Sequence, residues 1–265
     1  MAPAVPRALP KARPITGVAE VRDDKERGMT ALTKYELKLF LRDPAATLIV
    51  LVLPVGIVAL FGVVMSPGGG DAIETFFPSA AIALGLGQLG MNLLPSTMAG
   101  YREKGILRRM AGTPVHPAAL LGAQLVVGAL FALVSMALVV AVGVVAFGFG
   151  PPGSIPAFLL TFVLGVMSLF AVGLLVASIA PSGRVATGIG VAVFFVSIVF
   201  GGVFMPVESL PAFIADVGDF TPLGAFMRAL RASWAGAWPE PLHLGVMAVV
   251  ALGFSLLSAK MFRWE

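Results

Sequence analysis

The feature that most constrains this chain is a stretch of 74 consecutive residues, 110–183, that contains no Asp, Glu, Lys or Arg. A helix needs about 20 apolar residues to cross the hydrocarbon core of a bilayer, so this stretch is too long for one crossing and suits two. The Gly- and Pro-rich run at 147–156 separates them. Because 58% of all residues are hydrophobic and only 12% are charged, the apolar surface exceeds what one water-soluble core would bury. These features predict a membrane protein.

Six apolar runs are each long enough to form a membrane-spanning helix, and Lys260, near the end of the last, is the one charged residue within them. They lie at about residues 45–65, 77–100, 117–146, 156–180, 185–205 and 242–261. The segment 207–241 is too interrupted by Pro to cross the bilayer and too apolar for a free loop, so it predicts short re-entrant helices before the last span. Its Trp234 and Trp238 also suit an aromatic belt at the membrane surface. The predicted fold class is all-α, a polytopic membrane protein with six transmembrane helices.

The residues before the first span divide into two parts. Residues 1–28 are polar and punctuated by Pro, which predicts a disordered cytoplasmic tail and no cleavable signal peptide. Residues 29–43 have an amphipathic pattern that predicts a helix lying in the cytoplasmic membrane interface. The apolar face of this helix is predicted to contain Leu32, Tyr35, Leu39 and Phe40. A helix packed on a soluble partner is the alternative interpretation.

The distribution of Lys and Arg predicts the orientation of the chain. With both termini in the cytoplasm, the inner segments hold 16 of the 18 basic residues, and only Arg228 and Arg231 lie outside. Basic residues resist translocation, whereas acidic residues matter little. The basic residues form no continuous stripe, which argues against nucleic-acid binding. We therefore expect both termini on the cytoplasmic side.

The sequence lacks the residue patterns that common catalytic chemistry requires. It has no Cys, and its two His residues, His116 and His243, form no HExxH motif. Neither a GxSxG nucleophile motif nor a GxxxxGK phosphate-binding loop is present. Apart from Lys260 near the end of the last, no predicted span contains a charged residue, whereas proton- and sodium-coupled carriers use charged residues within their spans. We therefore expect no enzyme activity and no metal or cofactor on this chain, with any ATP bound by a separate partner.

The loop at 101–113, between the second and third spans, has more pattern than an anchoring loop needs. Glu103 and Arg109 flank Gly105, Ile106 and Leu107, which gives a short amphipathic turn. Such a turn suits docking in a groove of a partner protein. The alternative is a loop that only anchors the spans through its positive charge.

Three motifs, in order along the chain, carry a resemblance to a known family. They are Arg-Asp-Pro at 42–44, EKGILRRMAGTP at 103–114, and the paired runs FGGVFMPVESLP at 200–211 and FTPLGAFMRALR at 220–231. From about Met29 the chain resembles the type 2 permease family of ABC transporters, the membrane subunits of bacterial drug, polyketide and polysaccharide exporters. It resembles in particular the daunorubicin-type antibiotic exporters. Ile106 and Met110 stand where that family more often has Thr and Leu.

The resemblance implies a permease domain over residues 29–265 in the bacterial plasma membrane. It implies a homodimer that works with two cassette ATPase subunits, which would bind ATP and Mg²⁺. The residues it assigns to ATPase coupling are Arg102, Glu103, Lys104, Gly105, Leu107, Arg108 and Arg109. The residues it assigns to an extracellular gate are Phe204, Met205, Pro206, Pro222, Arg228 and Arg231. The implied activity is export of a hydrophobic or amphipathic compound, such as a drug, antibiotic, polyketide or lipid-like molecule. A non-transporting scaffold or assembly factor is the alternative function.

A substrate pathway is suggested by polar residues on the second span. Gln88, Asn92 and Ser96 recur every four residues, so they share one helical face. Amide side chains in lipid need partners, and this face therefore points either at a wet cavity or at a neighbouring helix that it hydrogen-bonds. The resemblance adds three residues of the fifth span to the pathway: Phe194, Phe195 and Val196.

Overall fold

The computed structural model describes residues 18–65, 71–110, 117–204, 209 and 211–261, and within these ranges it contains helices and no strand. The α-helices are α1 Val18–Arg42, α2 Pro44–Thr47, α3 Leu53–Met65, α4 Asp71–Gln88, α5 Leu94–Glu103, α6 Ile106–Met110, α7 Pro117–Phe147, α8 Ile155–Ile179, α9 Gly183–Gly201, α10 Ala212–Asp219, α11 Pro222–Trp234 and α12 Pro241–Met261. Two π-helical turns, Leu48–Val52 and Leu89–Leu93, connect α2 to α3 and α4 to α5. The chain is therefore all-α, as predicted.

Six helical segments of the described chain are long and apolar enough to cross a membrane. They are Pro44–Val63, Glu74–Glu103, Ala119–Phe147, Ile155–Ile179, Gly183–Gly201 and Pro241–Met261. Their number agrees with the prediction. The fifth ends four residues before the predicted end at residue 205, because Gly202 adopts a left-handed conformation with φ 62° and stops the helix.

Helix α1 starts earlier than expected. It begins at Val18, so residues 18–28 are helical and not part of a disordered tail; residues 1–17 lie outside the described residues. Ala, Glu, Arg and Lys are frequent in this stretch and favour a helix. Of the predicted apolar face of α1, Tyr35 is 60% and Leu39 39% exposed, while Leu32 and Phe40 face the protein, so the position of this helix in the membrane interface stays a prediction. The ring of Phe40 stacks on Phe131 of α7.

The core is built around α8 and the second span. The π-helical turn Leu89–Leu93 belongs to the second span. Gly173 of α8 lies so close to this turn that a Cβ at position 173 would collide with the carbonyl oxygen of Gly90. In the same way Gly190 of α9 lies against the carbonyl of Met91. Small residues permit such close approach of helix backbones in membranes. The π-helical turn therefore lies wedged between α8 and α9, the helices of the fourth and fifth spans.

The segment before the last span forms two short helices, α10 and α11. Pro222 is the first residue of α11, and the hydroxyl of Thr221 caps this helix by accepting from the Gly224 N–H at 3.1 Å. The fully buried side chains of α11 are Leu223, Phe226, Met227 and Leu230. Trp234 is also buried, and its indole N–H donates to the Gly150 carbonyl at 3.0 Å, so of the two Trp residues predicted for an aromatic belt, Trp238, 65% exposed, remains available.

Candidate functional site

The predicted coupling loop forms a tight elbow between α5 and α6. Helix α5 ends at Glu103, and the chain reverses at Gly105, whose φ of 65° lies in the left-handed region that favours Gly. The N–H of Gly105 donates to the Arg102 carbonyl at 2.9 Å. Arg109 stabilises the reversal because its guanidinium donates to the Lys104 carbonyl at 2.9 Å. The elbow is thus a defined turn; residues 111–113 of the loop lie outside the described residues.

One apolar side chain of the elbow is buried against the rest of the protein. Leu107 is 1% exposed and packs with Leu120 of α7, with Leu32 and Tyr101 beside them. The expectation that Leu107 itself contacts an ATPase is therefore wrong in this structure, because its side chain faces the interior. Its burial fixes the orientation of α6.

Two charged residues of the elbow bind the turn that joins α8 to α9. The Arg102 guanidinium donates to the carbonyls of Ser178, at 3.4 Å, and Ala180. The Glu103 carboxylate accepts from the Gly183 N–H at 3.0 Å, at the N-terminus of α9, where the helix dipole favours a negative charge. Sequence spacing gave no sign of this link, since the partners lie about 80 residues apart in the chain.

The remaining predicted coupling residues divide by exposure. Glu103, Lys104 and Arg109 are exposed, so the outer surface of the elbow carries two basic residues and one acidic residue. Gly105 contributes the turn itself, and nothing lies within 4 Å of where its Cβ would be. The side chain of Arg108 lies outside the described residues. A partner that docks on the elbow therefore meets Lys104 and Arg109 together with Glu103, whereas Arg102 is half-buried.

The predicted pathway residues are brought together only in part. Gln88 precedes the π-helical turn Leu89–Leu93, and Asn92, 9% exposed, lies within it. The Ser96 hydroxyl donates to the Leu93 carbonyl at 2.8 Å, so its hydrogen bond is made within its own helix. Phe194 of α9 packs over Gly87, next to Gln88. Phe195 and Val196, 61% and 56% exposed, lie on the outer surface of the protomer.

A buried polar cluster that the sequence interpretation missed joins three helices. Glu36 of α1 is 3% exposed, and both of its carboxylate oxygens accept from the Tyr101 hydroxyl at 3.0 Å. Gln124 of α7 donates to the same carboxylate. Burial raises the pKa of the Glu36 carboxyl above its ordinary value of 4.5, although the two hydrogen bonds act in the opposite direction. The sequence contained one sign of this burial: Glu36 lies four residues after Leu32 and four before Phe40, so the three residues share the helical face that packs inward.

Two of the predicted gate residues, Arg228 and Arg231, contact helices around α11. Arg228 pairs with Asp219, and the same carboxylate oxygen lies 2.8 Å from Nε2 of His243 on α12. Arg231 lies over the ring of Phe76, 5.4 Å from its centroid. The gate residues Arg228 and Arg231 therefore connect α11 to α10, α12 and α4.

The other predicted gate residues do not join this cluster. Phe204 is 70% exposed and Pro222 starts α11, while Met205 and Pro206 lie outside the described residues. Within the ranges that the structure describes, no group of three or more His, Asp or Glu side chains could hold a metal ion.

Comparison with known proteins agrees with the sequence motifs and the fold. The family model described as ABC-2 type transporter matches residues 27–234, which include the elbow and helices α10 and α11. A search of curated proteins found no match. Members of this family are multi-pass membrane subunits that associate with an ATP-binding cassette subunit. The chain therefore belongs to the ABC-2 type transporter family, as a permease subunit of an ABC transporter.

Proposed function

We propose that this chain is the permease half of an ATP-driven exporter in the bacterial plasma membrane. In this proposal two copies form the membrane pathway, and two separate cassette ATPases bind ATP and Mg²⁺. The excess of Lys and Arg in the inner segments supports an orientation with both termini in the cytoplasm. The weakly polar interior of the spans supports a hydrophobic or amphipathic cargo.

The observation that carries the proposal is the link from the elbow to the start of the fifth span. Glu103 and Arg102 are bonded to the α8–α9 turn, while Lys104 and Arg109 of the same elbow are exposed. A push on the exposed side therefore reaches α9 through charge-assisted hydrogen bonds. Because α9 packs against the π-helical turn of the second span, the motion reaches the proposed pathway as a rigid-body shift.

The test uses the full chain reconstituted with its cassette ATPase. Glu103→Ala removes the acceptor for the Gly183 N–H, and we expect the stimulation of ATP hydrolysis by the permease to fall about tenfold, the effect of losing one hydrogen bond to a charged group. Uptake of a fluorescent amphipathic dye into inside-out vesicles should fall with it.

The matched control is Glu240→Ala. Glu240 is also an exposed acid next to a helix N-terminus, that of α12, but it lies on the side of the chain opposite the elbow. This variant should retain normal stimulation and uptake. Unchanged stimulation in Glu103→Ala, at normal amounts in the membrane, would contradict the proposal and favour a scaffold role.

A further inference from the structure

A cavity of about 320 Å³ lies between α1, α5 and α7, with Glu36 in its wall. The lining residues Leu39 and Asp43 are exposed, whereas Glu36 is 3% exposed. The cavity therefore opens beside Leu39 and Asp43 and ends inside the protein. Ser96, one of the predicted pathway residues, also lines this space, whereas no function assigned above uses Glu36.

The charged groups around the cavity are all acidic. Glu36 and Asp43 contribute carboxylates, and no Lys, Arg or His lines the space. The groups that hydrogen-bond Glu36, from Tyr101 and Gln124, are neutral, and no described basic residue forms an ion pair with it. A buried carboxylate without a positive partner is unfavourable in its charged form. The cavity is therefore suited to a positively charged ligand.

The cavity is polar at one end and apolar along its length. Tyr101 and Gln124 lie near the ends of α5 and α7 that face the elbow, and both hydrogen-bond Glu36, whereas Leu89 is 12 residues deeper in the second span, about 18 Å along the helix. Between these levels the wall contains apolar side chains, among them Leu93 and Phe170, and two hydroxyls, of Ser96 and Thr97, that already donate to the Leu93 carbonyl. This arrangement matches a molecule with a charged head and an apolar body, inserted with its head toward the elbow.

We infer that this cavity binds an amphipathic amine, with the Glu36 carboxylate as the counter-ion of its ammonium group. The Asp43 carboxylate at the opening adds attraction for the approaching cation, while its Oδ1 also caps α2 by accepting from the Ala45 and Ala46 N–H groups at 3.1 Å.

The inference rests on the proposed permease function and narrows its cargo to hydrophobic cations. An ammonium that binds Glu36 also lies beside Tyr101, one residue before Arg102 of the elbow, so occupancy of the cavity affects the segment proposed to contact the ATPase.

The test measures binding to the full chain in lipid nanodiscs, without any ATPase. The probes are 1-naphthylmethylamine and its neutral analogue 1-naphthylmethanol, which share the aromatic body and differ in charge at neutral pH. We expect the amine to bind about tenfold more tightly than the alcohol, the effect of a hydrogen bond between charged groups. Glu36→Gln keeps an acceptor for Tyr101 and Gln124 but removes the charge, so it should abolish this preference and leave binding of the alcohol unchanged.

A milder variant protects the test against misfolding of Glu36→Gln. Asn is as good a helix cap as Asp, so Asp43→Asn should fold normally and lower amine affinity by about threefold, with a weaker dependence on salt. Glu240→Gln removes an exposed acid far from the cavity and should bind both probes as the wild type does.

Equal affinity for amine and alcohol in the wild type, or full amine binding in Glu36→Gln, would overturn the inference. Failure of ATPase stimulation alone would count against the proposed function and not against this site.

An ammonium group is also present on phosphatidylethanolamine, so two sources of the ligand need to be distinguished. The first nanodiscs contain only phosphatidylcholine and phosphatidylglycerol, and a second set includes phosphatidylethanolamine. If the second set lowers amine binding in the wild type but not in Glu36→Gln, the cationic site accepts the lipid headgroup. If amine binding is the same in both sets, the site selects free amphipathic amines. Both results require the Glu36 counter-ion and support the inference.

Discussion

At the scale of single residues, Glu36 has a role that its place on a charged helix does not suggest. Its helix α1 also contains exposed Lys34 and Lys38, yet Glu36 lies in the interior and is hydrogen-bonded by two neutral side chains. Burial disfavours the charged form of a carboxyl group, which is why its pKa is raised. The stability of the protein should therefore depend on pH through this one group.

The predicted pH dependence has a definite sign. Between the ordinary pKa of 4.5 and the raised pKa of Glu36, the folded chain holds a proton that the unfolded chain has released, so stability falls as pH rises through this range. In Glu36→Gln this contribution is absent, and the melting temperature measured in detergent should fall less with pH than in the wild type. The exposed Glu240→Gln variant serves as the control and should follow the wild-type curve. Identical curves for wild type and Glu36→Gln would contradict the prediction.

At the scale of elements, the elbow depends on one backbone conformation. Gly105 has φ 65°, and no atom crowds its Cβ position, so a substitution there tests the backbone strain without a steric clash. Gly105→Ala should lower the free energy of unfolding by about 1 kcal/mol and weaken ATPase stimulation, because the left-handed region is unfavourable for Ala. Gly105→Asn should restore part of both, since Asn tolerates this region better.

A helical Gly provides the control for the elbow prediction. Gly188 in α9 likewise has nothing within 4 Å of its Cβ position, but its φ is not positive. Gly188→Ala should therefore leave the monomer as stable as the wild type or more so, because Ala favours a helix by up to about 1 kcal/mol. Equal melting temperatures for Gly105→Ala and the wild type would show that the elbow does not need its left-handed residue.

At the scale of the whole molecule, the fifth span lacks neighbours on one face. Its most apolar stretch is 28% buried, as in the first span and slightly more than the 22% of the sixth, and its exposed side chains include Phe195, Val196 and Val199. Gly188 and Ala192 lie on the same face, and small residues four apart permit close packing between helices in membranes. This face therefore suits the contact between two copies that the proposed homodimer requires.

The dimer prediction is tested by cross-linking, which the absence of Cys in the chain makes simple. A single cysteine in Ala192→Cys should form a disulfide between two copies in native membranes. Leu252→Cys on α12, 63% exposed, places a cysteine on another lipid-accessible helix and should not cross-link. Cross-linking at position 252 but not at 192 would place the contact on the sixth span.

The sequence by itself determined the membrane class, the number of spans and the position of the elbow. These follow from local properties: the length of charge-free runs, Gly and Pro between them, and the motif at 103–114. The early start of α1 and the end of the fifth span at Gly201 were missed, because helix ends depend on caps and on packing as well as on hydropathy.

Only the tertiary structure decided which residues of the site meet. It turned Leu107 inward, bonded Arg102 and Glu103 to the α8–α9 turn, and enclosed Glu36 between Tyr101 and Gln124. The hydrogen-bond partners come from different helices. Glu36 is 65 or more residues from its partners in the chain, and Arg102 and Glu103 are about 80 residues from theirs. Hydrophobic periodicity predicts only which face of a helix is buried. Which residues that face contacts depends on how all the helices pack together.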